Sequence, residues 1–376
     1  MKTRAAVLHE MTLDRPYDTV LPLKIEELEL EPPGFNEVVV KIRAAGLCHS
    51  DLSVINGNRP RPLPMVLGHE ASGEVVELGK GVDRLKVGDH VVFSFLPSCG
   101  HCLNCATGKA ALCDPGSKAN SEGVLLGGYK RIKKGQEYYH HHLGVSGFAE
   151  YSVASVNSLV KIEDDIPFDI AALFGCAVMT GVGAVVNTAQ VKLGDTVLVV
   201  GLGGVGLSAI MAAHAAGARR VIGADINPSK RQKALDLGAH QVIDSSRPEA
   251  LEELKDSTGG GVDIAVEFAG VISALDFAYE ATKRGGTTVT AALPHPDARL
   301  SISPAMLVGM EKSLKGSYLG SCVAQRDIPN YLDLYRTHRL PIDKLITHRI
   351  GLEDINEGFE RLAKGDAIRQ VVLFDE

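Results

Sequence analysis

Four glycines in six residues, Gly201-Leu-Gly-Gly-Val-Gly206, lie between an apolar run at 196–200 and a small-residue stretch at 205–216, and few folds accommodate them. Such a turn belongs between a buried strand and a helix. One glycine permits the tight reversal, one lets a ligand approach the backbone, and one lets the helix pack closely on the sheet. The helix N-terminus adds N–H donors and the positive end of its dipole, which suits a pyrophosphate. The rhythm continues with strands at 220–224, 241–243, 262–267 and 287–291 and helices at 228–237, 248–257 and 272–282, the first of these entered through Pro228. Alternation of this kind predicts a doubly wound parallel sheet of the Rossmann type. Gly201, Gly203, Gly204, Val205 and Gly206 then face the pyrophosphate of a dinucleotide. Asp225, at the end of the second strand, can accept both ribose hydroxyls of NAD and repel the extra phosphate of NADP. A helix-capping role before Pro228 is compatible with the same geometry. Lys230 is either a second ribose contact or a solvated lysine on its helix.

Before residue 180 the pattern differs. Short β-type runs at 37–43, 71–78 and 90–95 are separated by Gly/Pro turns, which predicts an antiparallel, barrel-like domain. From about 319 the pattern becomes irregular again, and a last strand at 370–374 is expected to return to the first domain. The predicted organisation is therefore α/β, with a β-rich domain at 1–178 and 319–376 and a nucleotide-binding domain at 179–318. At 376 residues, 45 % hydrophobic, the chain has room for both. Its net charge of −7 and lack of a basic block argue against nucleic acid as a partner. No apolar run approaches the ~18 residues at which a membrane span is expected, and the N-terminus reads as a strand, so a cytoplasmic protein is expected.

Cys99, Cys102, Cys105 and Cys113 crowd one loop of a chain that has seven cysteines. Four thiolates at these spacings close a tetrahedron around Zn²⁺ and leave no position open, which marks a structural site. Two disulfides are the rival reading. The scatter of the other cysteines, the size of the core and a reducing compartment oppose them. His101 lies inside the cluster, but four thiolates already complete the shell. Cys48, His69 and Cys176 come from three separate segments, Gly46-Leu-Cys-His-Ser-Asp51, Gly68-His-Glu70 and Gly175-Cys-Ala. Two thiolates and an imidazole leave the fourth zinc position to water or substrate, as catalysis requires. Singly, each reads as a small buried residue or a surface ring. Combined with the closed cluster and the nucleotide fold, they read as a site. Cys322 belongs to neither set and reads as a small buried residue, and His140-His-His142 as a local loop feature.

In this order the segments resemble the zinc-containing medium-chain alcohol dehydrogenases, along nearly the whole chain and including Lys344-Leu-Ile-Thr-His348, Ile355-Asn-Glu-Gly-Phe359 and Ala367-Ile-Arg-Gln370. The length between Cys113 and Tyr151 is similar to the longer, dimeric branch of that family. The resemblance implies a GroES-like catalytic domain with a structural zinc lobe at about 97–115, two zinc ions per chain, NAD and a homodimer. It implies that Cys48, His69 and Cys176 hold the catalytic zinc, that Asp51 orients His69, and that Glu70 lies behind the metal. It further implies that Ser50 hydrogen-bonds the alcohol and starts the proton's exit, and that His49 and Arg369 touch the cofactor phosphates. Phe95, Leu143 and Leu293 would line an apolar pocket for primary alcohols, with aldehydes as substrates in reverse.

Two departures qualify the resemblance. Ser53 stands where many members carry the histidine that ends the proton relay, and a serine is no base near neutral pH. Arg59, in Asn56-Gly-Asn-Arg59, replaces the acidic residue with which glutathione-dependent formaldehyde dehydrogenases meet their substrate. That disfavours S-(hydroxymethyl)glutathione. Arg59 either pairs with an acidic group at the far end of the alcohol or is a solvated loop arginine. A zinc-free reductase of the same superfamily is opposed by the complete Cys48/His69/Cys176 set, and a noncatalytic NAD- or zinc-binding protein by Ser50 and Asp51, which a pure binder does not need.

Overall fold

The computed structural model describes residues 1–374, which form two compact units: 1–176 with 323–329 and 346–374, and 177–322 with 330–345. Residues 330–345, expected with the first domain, thus belong to the second. There Leu340, Ile342 and Leu345 are fully buried, and Arg339 donates to the Ala215 carbonyl at 2.7 Å.

In the first unit Lys2–Leu8, Leu23–Leu30, Ile132–Lys134, Glu137–His141 and Met65–Val66 close into a barrel. Val7, Leu28, Val66, Ile132 and Tyr139 fill its interior. Closure leaves no free strand edge on that sheet. A second sheet places Leu159–Ile162, His90–Phe93, Glu70–Leu78, Glu37–Gly46, Arg369–Leu373 and Ile346–Ile350 side by side, with Tyr151–Ser155 also paired to Glu37–Gly46. The returning C-terminal strand is present. It runs antiparallel to Glu37–Gly46 with Val371 opposite Gly46, while Glu70 faces Gly46 from the other side. Helix Ile355–Lys364 buries Ile355, Phe359 and Leu362, a helical spacing, and ends at Gly365 with φ 79° after two basic residues in its last turn.

The second unit is a six-stranded parallel sheet in the order Gln241–Ile243, Arg220–Ala224, Thr196–Val200, Val262–Glu267, Thr282–Thr290, Ser313–Gly316. All five residues of Thr196–Val200 are buried, as expected of a parallel strand covered on both faces. Strand order reverses beside it, so the glycine turn leaves the C-terminal edge of the sheet at a topological switch point. Helix Gly204–Ala215, rich in alanine and glycine, is buried over most of its length. The strand expected at 287–291 is longer and starts at Thr282, with a register irregularity between Val262 and Ile264 on its partner. The edge strand Ser313–Gly316 was not expected, because all four residues are exposed and carry no alternation. Among the described residues no single helix is long and apolar enough to cross a membrane.

Candidate active site

Cys48 precedes helix His49–Ile55, which follows directly on strand Glu37–Gly46. His69 stands at the head of strand Glu70–Leu78, after Gly68 with φ 91°; a Cβ there would lie 2.5 Å from the Phe148 nitrogen, so only glycine permits the turn. Cys176 ends a short 3₁₀ turn, and a Cβ on Gly175 would meet the Phe93 carbonyl at 2.2 Å. These three approaches bring the ligand atoms of Cys48, His69, Glu70 and Cys176 within 4.8 Å of one another, all buried. Neither ring nitrogen of His69 nor Glu70 Oε1 has a hydrogen-bond partner, Nδ1 facing Asp51 and Nε2 left for a metal. An unsatisfied buried polar group costs about 1–3 kcal/mol, which a metal ion would remove. Two thiols and an imidazole suit borderline-soft Zn²⁺, so the residues present fit the implied metal. Cys176 beside it holds the Cys48 thiol well below its ordinary value, burial opposing and His69 assisting.

The neighbours of His69 fix its ring. Its Nδ1 lies 3.0 Å from Asp51 Oδ2, and the Phe95 ring meets it edge-on, with centroids 5.5 Å apart and planes at 90°. Asp51 is fully buried and accepts the Gly68 N–H at 3.1 Å. Burial alone would raise its carboxyl, but His69 and His142 outweigh that and leave it below the ordinary value. His142 was read only as part of a loop, yet its Nδ1 stands 3.0 Å from Asp51 Oδ1. No spacing in the chain connects positions 51 and 142. The run of three histidines was the only mark.

Arg369, expected at a cofactor phosphate, has its guanidinium buried and paired with the Glu70 carboxylate, because the strands carrying the two residues both flank Glu37–Gly46. Ser50 is half-buried in the first turn of helix His49–Ile55, and His49 is exposed. Ser53 Oγ donates to the His49 carbonyl at 2.8 Å, so the helix backbone already engages its proton. Phe95 and Leu143 are buried. Leu293, expected in the same wall, belongs to the second unit and is 55 % exposed. Arg59 is half-buried, and its backbone N–H bonds the Ser53 carbonyl at 2.8 Å.

The four-cysteine loop gathers the thiols of Cys99, Cys102, Cys105 and Cys113 within 4.8 Å. Backbone N–H groups point at the sulfurs: Cys99 and Gly116 donate to Cys113 Sγ at 3.2 and 3.4 Å, and Cys102 to Cys99 Sγ at 3.3 Å. Such donors stabilise thiolates. His101 is exposed, with Nδ1 on the Cys99 carbonyl at 2.9 Å. Cys322 is buried, its Sγ 3.3 Å from the Met179 carbonyl.

In the second unit the glycine turn divides its labour. Gly201 has φ 88°, and a Cβ on Gly206 would lie 1.9 Å from the Gly201 carbonyl, whereas a Cβ on Gly203 would meet nothing within 4 Å. Gly203 therefore borders open space, as backbone approached by a pyrophosphate must. Asp225 accepts the Leu202 N–H at 2.7 Å through Oδ2 and the Asn227 N–H at 2.8 Å through Oδ1, bracing the turn. A carboxylate has about four acceptor sites, so two remain for hydroxyls. Val205, Gly204 and the half-buried Lys230 lie on the helices that follow the two strands.

The alcohol dehydrogenase GroES-like domain matches residues 34–164, and the zinc-binding dehydrogenase domain matches residues 204–337. The NDMA-dependent alcohol dehydrogenase of Amycolatopsis methanolica is 38 % identical over 376 residues, 99 % of each chain. The chain belongs to the zinc-containing medium-chain alcohol dehydrogenase family. Structures of this alcohol dehydrogenase family agree over 100 % of both chains: a zinc-binding domain protein from Burkholderia ambifaria at TM-score 0.94 and 33 % identity, and the benzyl alcohol dehydrogenase of Acinetobacter calcoaceticus at 0.93 and 31 %. An oxidoreductase with a GroES-like domain and a Rossmann-type sheet is thereby established, as the turn and the cysteine segments had led us to expect.

Proposed function

We propose that this alcohol dehydrogenase converts primary aliphatic or aromatic alcohols to aldehydes, reversibly, with NAD and two zinc ions per chain, as a cytoplasmic homodimer. The observation that carries the reading is the buried, unpartnered His69 Nε2 facing two thiols. Cys48, His69 and Cys176 would hold the catalytic zinc, and Cys99, Cys102, Cys105 and Cys113 the structural one. When bound, zinc supplies Lewis acidity to the alcohol oxygen and NAD accepts the hydride.

The chain's own residues orient and exclude. Asp51, 3.0 Å from His69 Nδ1, favours the tautomer that carries its proton there and so leaves the Nε2 lone pair toward the thiols. Ser50 would accept a hydrogen bond from the alcohol's hydroxyl while passing its own hydroxyl proton on through the ribose hydroxyls toward water, and Ser53 has no part in this relay because its own proton is on the His49 carbonyl. Phe95 and Leu143 present apolar surface to the alcohol's carbon chain, which agrees with the benzyl alcohol named for the Acinetobacter relative. Gly203 admits the pyrophosphate, and Asp225 accepts the ribose hydroxyls. Arg369, engaged by Glu70, stiffens the floor behind the ligands. The exposed edge strand Ser313–Gly316 offers unpaired backbone for joining two copies.

Zinc analysis together with aldehyde formation from a panel of alcohols, with NAD, NADP or NDMA added in turn, tests this reading. NDMA is included because the Amycolatopsis relative is named for it. About two zinc per chain and alcohol-dependent NADH formation are expected. Turnover of S-(hydroxymethyl)glutathione alone would favour the formaldehyde dehydrogenase reading, and no turnover with zinc fully loaded would favour a noncatalytic binder.

A further inference from the structure

Asp51 is a fully buried carboxylate between two buried imidazoles, with Oδ2 3.0 Å from His69 Nδ1 and Oδ1 3.0 Å from His142 Nδ1. We propose that His142 is a positioning residue for the zinc ligand His69, acting through Asp51; this rests on the dehydrogenase reading above. A carboxylate facing a single imidazole can swing about its own axis. Here the second oxygen accepts the Gly68 N–H at 3.1 Å and has His142 Nδ1 3.0 Å away, which limits that swing and keeps the first oxygen facing His69. His142 is 1 % exposed, and its Nδ1, which makes no hydrogen bond elsewhere, has Asp51 Oδ1 3.0 Å away as the acceptor a small turn of the ring would engage.

The backbone at His142 is pinned by a tight turn. Its N–H donates to Ser146 Oγ at 3.2 Å, and its carbonyl accepts the Val145 and Ser146 N–H groups at 3.0 and 3.2 Å. Its ring also meets that of His69 edge-on, with centroids 5.5 Å apart and planes at 89°, while Phe95 does the same at 5.5 Å. His69 is thus flanked by two perpendicular rings and faced by one carboxylate, which in turn has two imidazoles to satisfy. Outer partners of this kind fix which nitrogen carries the proton and leave the other for the metal.

Chelator competition on the full-length zinc-loaded protein tests the assignment, with wild type compared against His142→Phe and His142→Asn. Phenylalanine keeps a ring and removes the N–H; asparagine restores an N–H near the Nδ1 position. We expect His142→Phe to weaken zinc at the Cys48/His69/Cys176 site about 10–100-fold, with zinc at the four cysteines unchanged, and His142→Asn to recover most of the loss. Unchanged affinity in His142→Phe overturns the proposal, as does His142→Asn binding no better than His142→Phe, which would mark a packing role. A third zinc in wild type that is lost in His142→Phe overturns it in favour of direct ligation. If His142→Phe does not fold, His142→Gln replaces it: Asn must bind zinc more tightly than Gln, whose amide falls near Nε2, and equal affinities contradict the proposal. A wild-type chain holding zinc only at the four cysteines overturns the dehydrogenase reading instead.

Discussion

The two cysteine clusters of the first unit are built on opposite plans. Cys99, Cys102, Cys105 and Cys113 come from one loop, three of them only partly buried, and their thiols receive backbone N–H groups from within that loop. Cys48, His69 and Cys176 come from three distant segments, are all buried, and depend on strand pairing and on glycines that tolerate close contact. A local cluster can form wherever its loop folds; the distributed one forms only when the sheet does. The local cluster has four thiols and nothing left to offer a substrate, while the distributed one has three strong donors, one of them an unpartnered imidazole nitrogen, and so a fourth position to fill. The first should therefore govern stability and the second chemistry.

Substitutions at the two clusters would break this contrast most directly if it were wrong. Cys176→Ser is expected to lower kcat on the order of 10³-fold, since losing the Lewis acid forfeits several kcal/mol of transition-state stabilisation and each 1.36 kcal/mol is tenfold. Its zinc content should fall to about one per chain with the melting temperature little changed. Cys113→Ser, in the closed cluster, is expected to reverse the pattern: a loss of several kcal/mol of stability read by thermal melting, with kcat per folded molecule preserved.

The nucleotide turn sharpens the same distinction between frame and function within six residues. Gly206→Ala must push against the Gly201 carbonyl and should cost about 1–3 kcal/mol of stability. Gly203→Ala has room in the fold and should leave stability intact, while the added methyl obstructs the pyrophosphate and raises the KM for NAD about tenfold, or 1.4 kcal/mol. Melting curves and NAD titrations of the two variants separate the roles. An effect of similar size concerns Arg59. If it pairs with acid-tailed alcohols, Arg59→Ala lowers the preference for an ω-hydroxy acid over the matching plain alcohol by about tenfold, the scale of a charge-assisted hydrogen bond. Equal preference in both proteins leaves it a loop arginine.

What could be read in the chain follows the same division. Thr196–Val200 was legible because a parallel strand buried on both faces leaves a continuous apolar run, and Arg220–Ala224 and Val262–Glu267 because shorter apolar stretches recur between helical segments. The four-cysteine cluster was legible because its spacing is its geometry. Ser313–Gly316 was not, since an exposed edge strand is made by its neighbour's hydrogen bonds rather than by its own side chains. His142 and the Arg369–Glu70 pair were missed in the roles they have here for a related reason. Each contact joins segments far apart in sequence, and only the folded sheet and the turn at 142–146 bring them together.

Stepwise removal of zinc from the wild-type protein, with alcohol oxidation and thermal stability followed on the same samples, separates the catalytic ion from the structural one. The open three-donor site should release its ion before the closed four-thiolate site. Activity is expected to disappear with the first zinc per chain while the melting temperature holds, and stability to fall only with the second. Activity that survives loss of the first zinc, or falls only together with stability, would contradict this division between the two sites.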